Sequence, residues 1–362
     1  MTDRVRDQIV LRSEMPIEAA MGKPCRLHHF GDAHRLEALL AKLASCLGQD
    51  AAAVLRHLLP AHLHFQLTPR VIDIFMMPII YGIIDDDHHE YSFNAAKGNA
   101  MTSKPSVLVT GASTGIGAAY AERFARRGHD LVLVARNTAR MEALADRLRS
   151  DTGVTLDIVP ADLVNPAERV AVEARLRDDA RIGILINNAG ASLAGTFIEQ
   201  AVDDIDRLVA LNTTALVRLA HAIAPRLAHA GEGAIVNIGS AVGLAPEFGM
   251  PVYGATKAFV LHLSQALSLQ LASQGVYVQA VLPAATRTEI WGHAGVDVDT
   301  LSGVMEVDDL VDAALAGFDR REPVTIPPLH DAGQWEAFEA ARQAMLPGFA
   351  QSRPADRYLA TA

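Results

Sequence analysis

From residue 105 onward, short apolar runs alternate with longer stretches in which apolar residues recur at helical spacing. Val107, Leu108 and Val109 carry no charge between them, which suits a strand buried on both faces of a parallel sheet. The runs Leu131–Ala135, Val154–Val159, Ile182–Ile186, Ala234–Ile238, Val276–Leu282 and Val324–Ile326 predict six further strands. Between them Ile116, Ala119, Tyr120 and Phe124 predict a helix that Gly128 stops. Met141 to Leu148 falls on another, and two long helices are expected from about Val202 to Ala228 and from Val252 to Ala272. Such alternation predicts an α/β domain: a doubly wound parallel sheet of about seven strands, right-handed crossovers and helices on both faces. Its ligand belongs at the carboxyl ends of the strands.

Residues 1 to 100 lack this rhythm. Leu36, Leu39, Leu40, Leu43 and Leu47 share one helical face, and Val54, Leu55, Leu58 and Leu59 another before Pro60, so a helical extension is expected there. Asn94 to Pro105, polar and holding Gly98, reads as a linker. The chain therefore divides into an extension, 1–100, and a catalytic domain, 101–362. The purine-rich codons that Lys97-Gly98-Asn99-Ala100 permits before Met101 also fit a start at Met101, or a fusion.

Composition narrows the classes. Half of the 362 residues are apolar, as in a core-forming globular chain. A net charge of −10 argues against nucleic acid, whose phosphates need a basic surface. Cys25 and Cys46 are the only cysteines, and with no disulfide framework or secretory leader the expected compartment is the cytoplasm. The most apolar run, Val71 to Ile84, contains Asp73 and Pro78 and is shorter than the roughly 20 residues a bilayer needs, so no membrane is implied. His62-x-His64 and Asp85 to Glu90 lack the fixed spacing of metal motifs, and no metal site is assigned.

The suggestive residues all fall just after strands. Gly111, Gly115 and Gly117, with Ser113, Thr114 and Ile116 between them, make a small-residue turn into a helix N-terminus, where free N–H groups and the helix dipole attract a pyrophosphate. Arg136 ends the second strand at the position where an NAD-binding fold carries an acid for the ribose, so NADP is favoured over NAD. Asp162 and Leu163 follow the third strand, Asn187-Asn188-Ala189-Gly190 the fourth, and Ser240 the fifth. Tyr253 and Lys257 stand one turn apart on one helix face.

In this order and spacing the motifs closely resemble those of the short-chain dehydrogenase/reductase family, over about residues 105 to 330. Thr110 to Gly117 resembles its T-G-x-x-x-G-x-G loop, Asp162 its adenine-contacting aspartate, and Asn187 to Gly190 its N-N-A-G segment. Asn212, Ser240, Tyr253 and Lys257 fall on its catalytic asparagine, serine, tyrosine and lysine. Pro283 and Thr288 resemble its nicotinamide-contacting P-G-x-x-x-T loop, with Ala284 where that loop has glycine. The resemblance implies a Rossmann-type fold, NADP(H) as cofactor and interconversion of a carbonyl and an alcohol. It further implies a homodimer or homotetramer joined through the two long helices.

A free tyrosine, with a pKa of about 10, shuttles protons poorly at neutral pH. Lys257 and an oxidised nicotinamide are expected to lower it, making Tyr253 the acid in reduction and the base in oxidation. Ser240 would polarise the carbonyl oxygen. By resemblance Lys257 also binds the ribose, and Asn212 holds a proton-relaying water. Singly, each has a plainer structural reading: Ser240 as a turn cap, Tyr253 at an interface, Lys257 solvated, Asn212 satisfied by backbone. Together they point to catalysis, and a non-catalytic NADP-binding sensor or scaffold is the alternative. Val242 to Met250 and Thr286 to Met305, with Ile290, Trp291 and His293, are expected to flank a moderately hydrophobic small-molecule substrate.

Overall fold

The computed structural model describes residues 104–293 and 295–359, so the extension, both cysteines and the two histidine-containing clusters lie outside the described residues. Seven strands form one parallel sheet in the order β3-β2-β1-β4-β5-β6-β7. These are β1 (Ser106–Thr110), β2 (Leu131–Ala135), β3 (Leu156–Pro160), β4 (Ile182–Asn187), β5 (Ala234–Ile238), β6 (Tyr277–Val281) and β7 (Val324–Thr325). Every residue of β1, β2, β5 and β6 is buried, which is why these strands read as continuous apolar runs rather than as alternation.

Successive β1 residues serve opposite faces. Val107 and Val109 enter one core, with Tyr120 and Phe124 of α1 (Gly115–Arg126) and Met141 and Leu148 of α2 (Thr138–Thr152). Leu108 enters the other, with Val172 and Leu176 of α3 (Pro166–Asp178). After β3 the chain returns to the opposite side of β1, which pairs with both β2 and β4. That reversal opens a crevice at the carboxyl edge.

The strands fall where expected except at some ends. β3 begins at Leu156, later than the sequence suggested, because Gly153 caps α2 in a left-handed conformation and the Thr155 amide bonds Asp130 Oδ1 at 2.8 Å. It runs on to Pro160, which an edge strand tolerates.

The helix expected from Val202 to Ala228 runs without interruption from Val202 to Ala230 but changes its winding part-way. It consists of α4 (Val202–Val209), a π-helical stretch Ala210–Ala215, and α5 (Leu216–Ala230) containing Pro225. One window of Val202–Ala230 is apolar enough to reach a mean hydropathy of 1.3, but the inner face of this helix, with Leu219, Ile223 and Leu227, is buried against the sheet. The second long helix is α6 (Pro251–Leu271). A short α7 (Ile290–His293), α8 (Val307–Asp319) and α9 (Ala332–Ala344) complete the described helices.

Candidate active site

The glycine turn is fixed from two sides. Gly111 and Gly115 have φ of 66° and 54°, and a Cβ on Gly117 would lie 2.3 Å from the Gly111 carbonyl oxygen, so the loop closes only around glycine. The Thr110 hydroxyl oxygen accepts the amides of Asn188 at 2.9 Å and Ala189 at 3.0 Å. Asn188 Nδ2 in turn donates to the Thr110 carbonyl at 2.8 Å. Asn188 thus bolts the ends of β1 and β4 together.

Thr114 begins α1 without a side-chain cap, and no acid occupies its first turn. Asn137 and Asn165 do cap α2 and α3. Uncapped amides behind a collapsed glycine turn suit a pyrophosphate.

On the other side of the crevice, buried amides hold α6 against the strand ends. Asn187 Nδ2 donates to Asn237 Oδ1 at 3.0 Å, and Asn237 Nδ2 to Ser264 Oγ at 2.9 Å. The turn after β5 presses onto α6, where a Cβ on Gly243 would meet the Ala258 amide nitrogen at 2.6 Å. These contacts set Ser240, Tyr253 and Lys257 around one space. Lys257 is buried, its Nζ 5.7 Å from the Tyr253 ring centroid and donating to the Ile238 carbonyl at 2.9 Å. Ser240 Oγ donates to the Pro283 carbonyl at 3.2 Å and accepts the Val242 amide at 3.2 Å, so it caps a turn as well as facing the phenol.

Burial governs the electrostatics. The Tyr253 phenol is pushed above its usual range by loss of water, and a hydrogen bond with Ser240 offsets this only in part. Desolvation brings Lys257 down to about 8. This corrects the expectation that Lys257 lowers the tyrosine. In the protein itself burial sets the direction of the phenol, and Lys257 is not among the groups that lower it.

A cleft of about 1000 Å³ opens over the strand ends. It is lined by all of the site residues expected from the sequence except Gly117 and Asn212. Gly117 lies behind the loop. Asn212, in the π-helical stretch and 1% exposed, donates from Nδ2 to the Ala191 carbonyl at 3.0 Å and Thr256 Oγ1 at 3.1 Å, and accepts the Ala191 amide at 3.0 Å. Its amide hydrogens are both engaged within the protein. The Asn212 side chain therefore braces Ala191. Ala284 lines the cleft without a positive φ, so alanine fits where the family loop has glycine.

Four charged residues of the lining, Arg140, Asp204, Arg207 and Glu289, were not singled out from the sequence. Arg207 approaches Asp162 at 3.7 Å, and Arg140 pairs with Glu289 at 2.7 Å. The available signal was Arg140 in the first turn of α2, where the helix dipole disfavours a cation unless an anion is near. Arg136 also lines the cleft and takes part in no ion pair among the described residues. Ile290, Trp291, Val242 and Met250 line it as expected; the His293 side chain lies outside the described residues. Among the described residues no cluster of possible metal ligands occurs.

The family model for short chain dehydrogenases matches residues 105–298. The chain belongs to the short-chain dehydrogenase family. Among curated relatives, this dehydrogenase is 40% identical over 192 residues to the sulfoacetaldehyde reductase of Chromohalobacter salexigens, covering 51% of its own length and 73% of the relative's. A short-chain dehydrogenase from Sphingobium yanoikuyae, solved in complex with NADPH, is 66% identical with a TM-score of 0.69, the match covering 70% of this chain and 100% of that one. The bulky-bulky ketone specific alcohol dehydrogenase from Comamonas testosteroni, in its orthorhombic crystal form, is 58% identical with a TM-score of 0.67, covering 72% and 100%. As a short-chain dehydrogenase with relatives of this kind, the protein is a nicotinamide-dependent oxidoreductase acting on alcohol or carbonyl groups.

Proposed function

We propose that the protein is an NADPH-dependent reductase of ketones carrying a bulky group on each side of the carbonyl. Support for the chemistry comes from the meeting of Ser240, Tyr253 and Lys257 with the uncapped glycine loop in one cleft. The unpaired Arg136, at the end of β2, supports the 2′-phosphate of NADPH, and the 66% identical dehydrogenase was solved with that cofactor. Gly111 to Gly117 would take the pyrophosphate, Asp162 and Leu163 the adenosine, Asn188 to Gly190 the ribose, and Pro283 and Thr288 the nicotinamide carboxamide. NADPH, when bound, supplies the hydride.

The protein supplies the proton. Tyr253, its pKa raised by burial, keeps its proton at neutral pH and can give it to the carbonyl oxygen as negative charge develops there. Ser240, turning its hydroxyl away from the Pro283 carbonyl, donates a hydrogen bond to the same oxygen, where a donor in a dry site is most effective. Lys257 holds the ribose and raises the local positive potential. Asn212 keeps the Ala191 backbone in place beneath them.

The substrate end is lined by Leu193, Met250, Ile290 and Trp291. A sulfonated aldehyde would call for a cation there, whereas these side chains suit apolar groups. This favours the chemistry of the bulky-bulky ketone enzyme, which is 58% identical.

Exposed Val202 and Val209 on α4, and Phe259 and Leu269 on α6, support association through this face into a homodimer or homotetramer. The catalytic unit is residues 101–362, and residues 1–100 are dispensable for it. The test is NADPH consumption by the full chain, and by a chain beginning at Met101, across diaryl, aryl-alkyl and methyl ketones and small aldehydes. Bulky ketones are expected to give the highest kcat/KM with both chains. Preference for small aldehydes would overturn the substrate assignment, and inactivity of the shorter chain would overturn the division.

A further inference from the structure

Arg140 and Glu289 both line the cleft, one in the first turn of α2 and the other 149 residues later in the loop after β6. Arg140 Nη1 donates to both carboxylate oxygens of Glu289, at 3.0 and 2.7 Å. The side chains are 50% and 59% exposed, so water competes for both ends and the pair is easily exchanged. Thr288, the residue before Glu289, sits against the glycine loop, its Cγ2 3.2 Å from where a Gly115 Cβ would be. The loop that carries Glu289 is therefore held near the phosphate end of the cleft.

Arg136 and Arg140 both line this end, and α2 has no acid in its first turn. Glu289 is the one carboxylate bonded to Arg140 among the described residues. A nucleotide 2′-phosphate carries about −1.5 to −2 charges and three acceptor oxygens, against a single negative charge on a carboxylate. Where both can reach one guanidinium, the phosphate prevails.

We propose that Arg140 serves two anions in turn, Glu289 in the empty cleft and the 2′-phosphate of NADPH in the filled one. Glu289 then acts as a built-in competitor that sets cofactor affinity from the substrate-loop side. NADH, with free ribose hydroxyls, leaves the Arg140–Glu289 pair intact. NADPH draws Arg140 away and releases the loop from α2. This inference rests on the NADPH reading above, and the two can fail separately.

The test is equilibrium titration of the full-length wild-type chain, Glu289→Gln, Arg140→Gln and the double variant with NADPH and with NADH, followed by nucleotide fluorescence at fixed salt. Glu289→Gln is expected to tighten NADPH binding about two- to fivefold, the worth of an exposed ion pair, and to leave NADH binding unchanged. Arg140→Gln is expected to weaken NADPH about tenfold, the worth of a charge-assisted contact, again without effect on NADH. In the double variant the gain from Glu289→Gln should vanish, because its beneficiary is gone. Equal changes for both nucleotides would overturn the proposal in favour of a simple clasp over the cleft, and so would unchanged NADPH affinity in Glu289→Gln. Wild-type protein that binds NADH as tightly as NADPH would instead overturn the cofactor assignment, and this proposal with it. Unchanged unfolding midpoints would confirm that all four proteins are folded.

Discussion

Lys257→Met is expected to stabilise the nucleotide-free protein at neutral pH while abolishing turnover. Lys257 is buried and makes one hydrogen bond, to the Ile238 carbonyl at 2.9 Å. Loss of water brings its pKa from 10.5 to about 8. Holding the ammonium in place at pH 7 therefore costs about 3 kcal/mol, at about 1.4 kcal/mol per pH unit of that difference. Methionine matches the length of the stem and removes the charge, but it leaves the Ile238 carbonyl without this donor, a loss of about 1 kcal/mol. The net expectation is a gain of about 2 kcal/mol at pH 7, or several degrees in Tm for a domain of this size.

The gain should depend on pH in a fixed direction. Below pH 8 the native lysine is charged and the penalty is fully present. Between about 8 and 10.5 the unfolded chain binds more protons than the native one, so wild-type stability rises with pH and the advantage of the variant fades. Urea denaturation of both proteins at pH 7 and pH 10, without nucleotide, measures this directly. A Lys257→Met protein less stable than wild type at pH 7, or a difference equal at the two pH values, would show that burial of the ammonium is not opposed by the fold.

Tyr253→Phe should lower kcat at least a thousandfold, as loss of a general acid does, with the NADPH dissociation constant changed less than about twofold; residual turnover of a few per cent would remove Tyr253 from the role of proton donor. Arg136→Asp replaces an attractive charge with a repulsive one and should move the NADPH-to-NADH ratio of kcat/KM toward NADH by at least about a hundredfold, as read in parallel rate measurements. Gly117→Ala places a Cβ 2.3 Å from the Gly111 carbonyl oxygen, and since backbone cannot yield there cheaply, nucleotide binding should fall more than about tenfold in fluorescence titration; wild-type affinity would show that the loop is not closed as described.

Much of this protein is written locally in its sequence. A strand buried on both faces announces itself as an uncharged apolar run, so β1, β2 and β5 could be placed from residues a few positions apart. The glycine loop and the Tyr253–Lys257 pair were equally legible, because a turn that excludes Cβ atoms and a one-turn helical spacing are short-range constraints. The π-helical stretch at Ala210–Ala215 was not legible, since a π-helical turn barely disturbs the apolar period on either side. Nor were the engagements that give side chains their roles. Asn212 braces Ala191, and Asn188 bolts β1 to β4, across 21 and 78 residues of chain. Arg140 meets Glu289 across 149. The direction in which Tyr253 and Lys257 titrate was likewise set by tertiary structure, because desolvation depends on everything that packs around a group, and no spacing along the chain records how much water the fold will leave there.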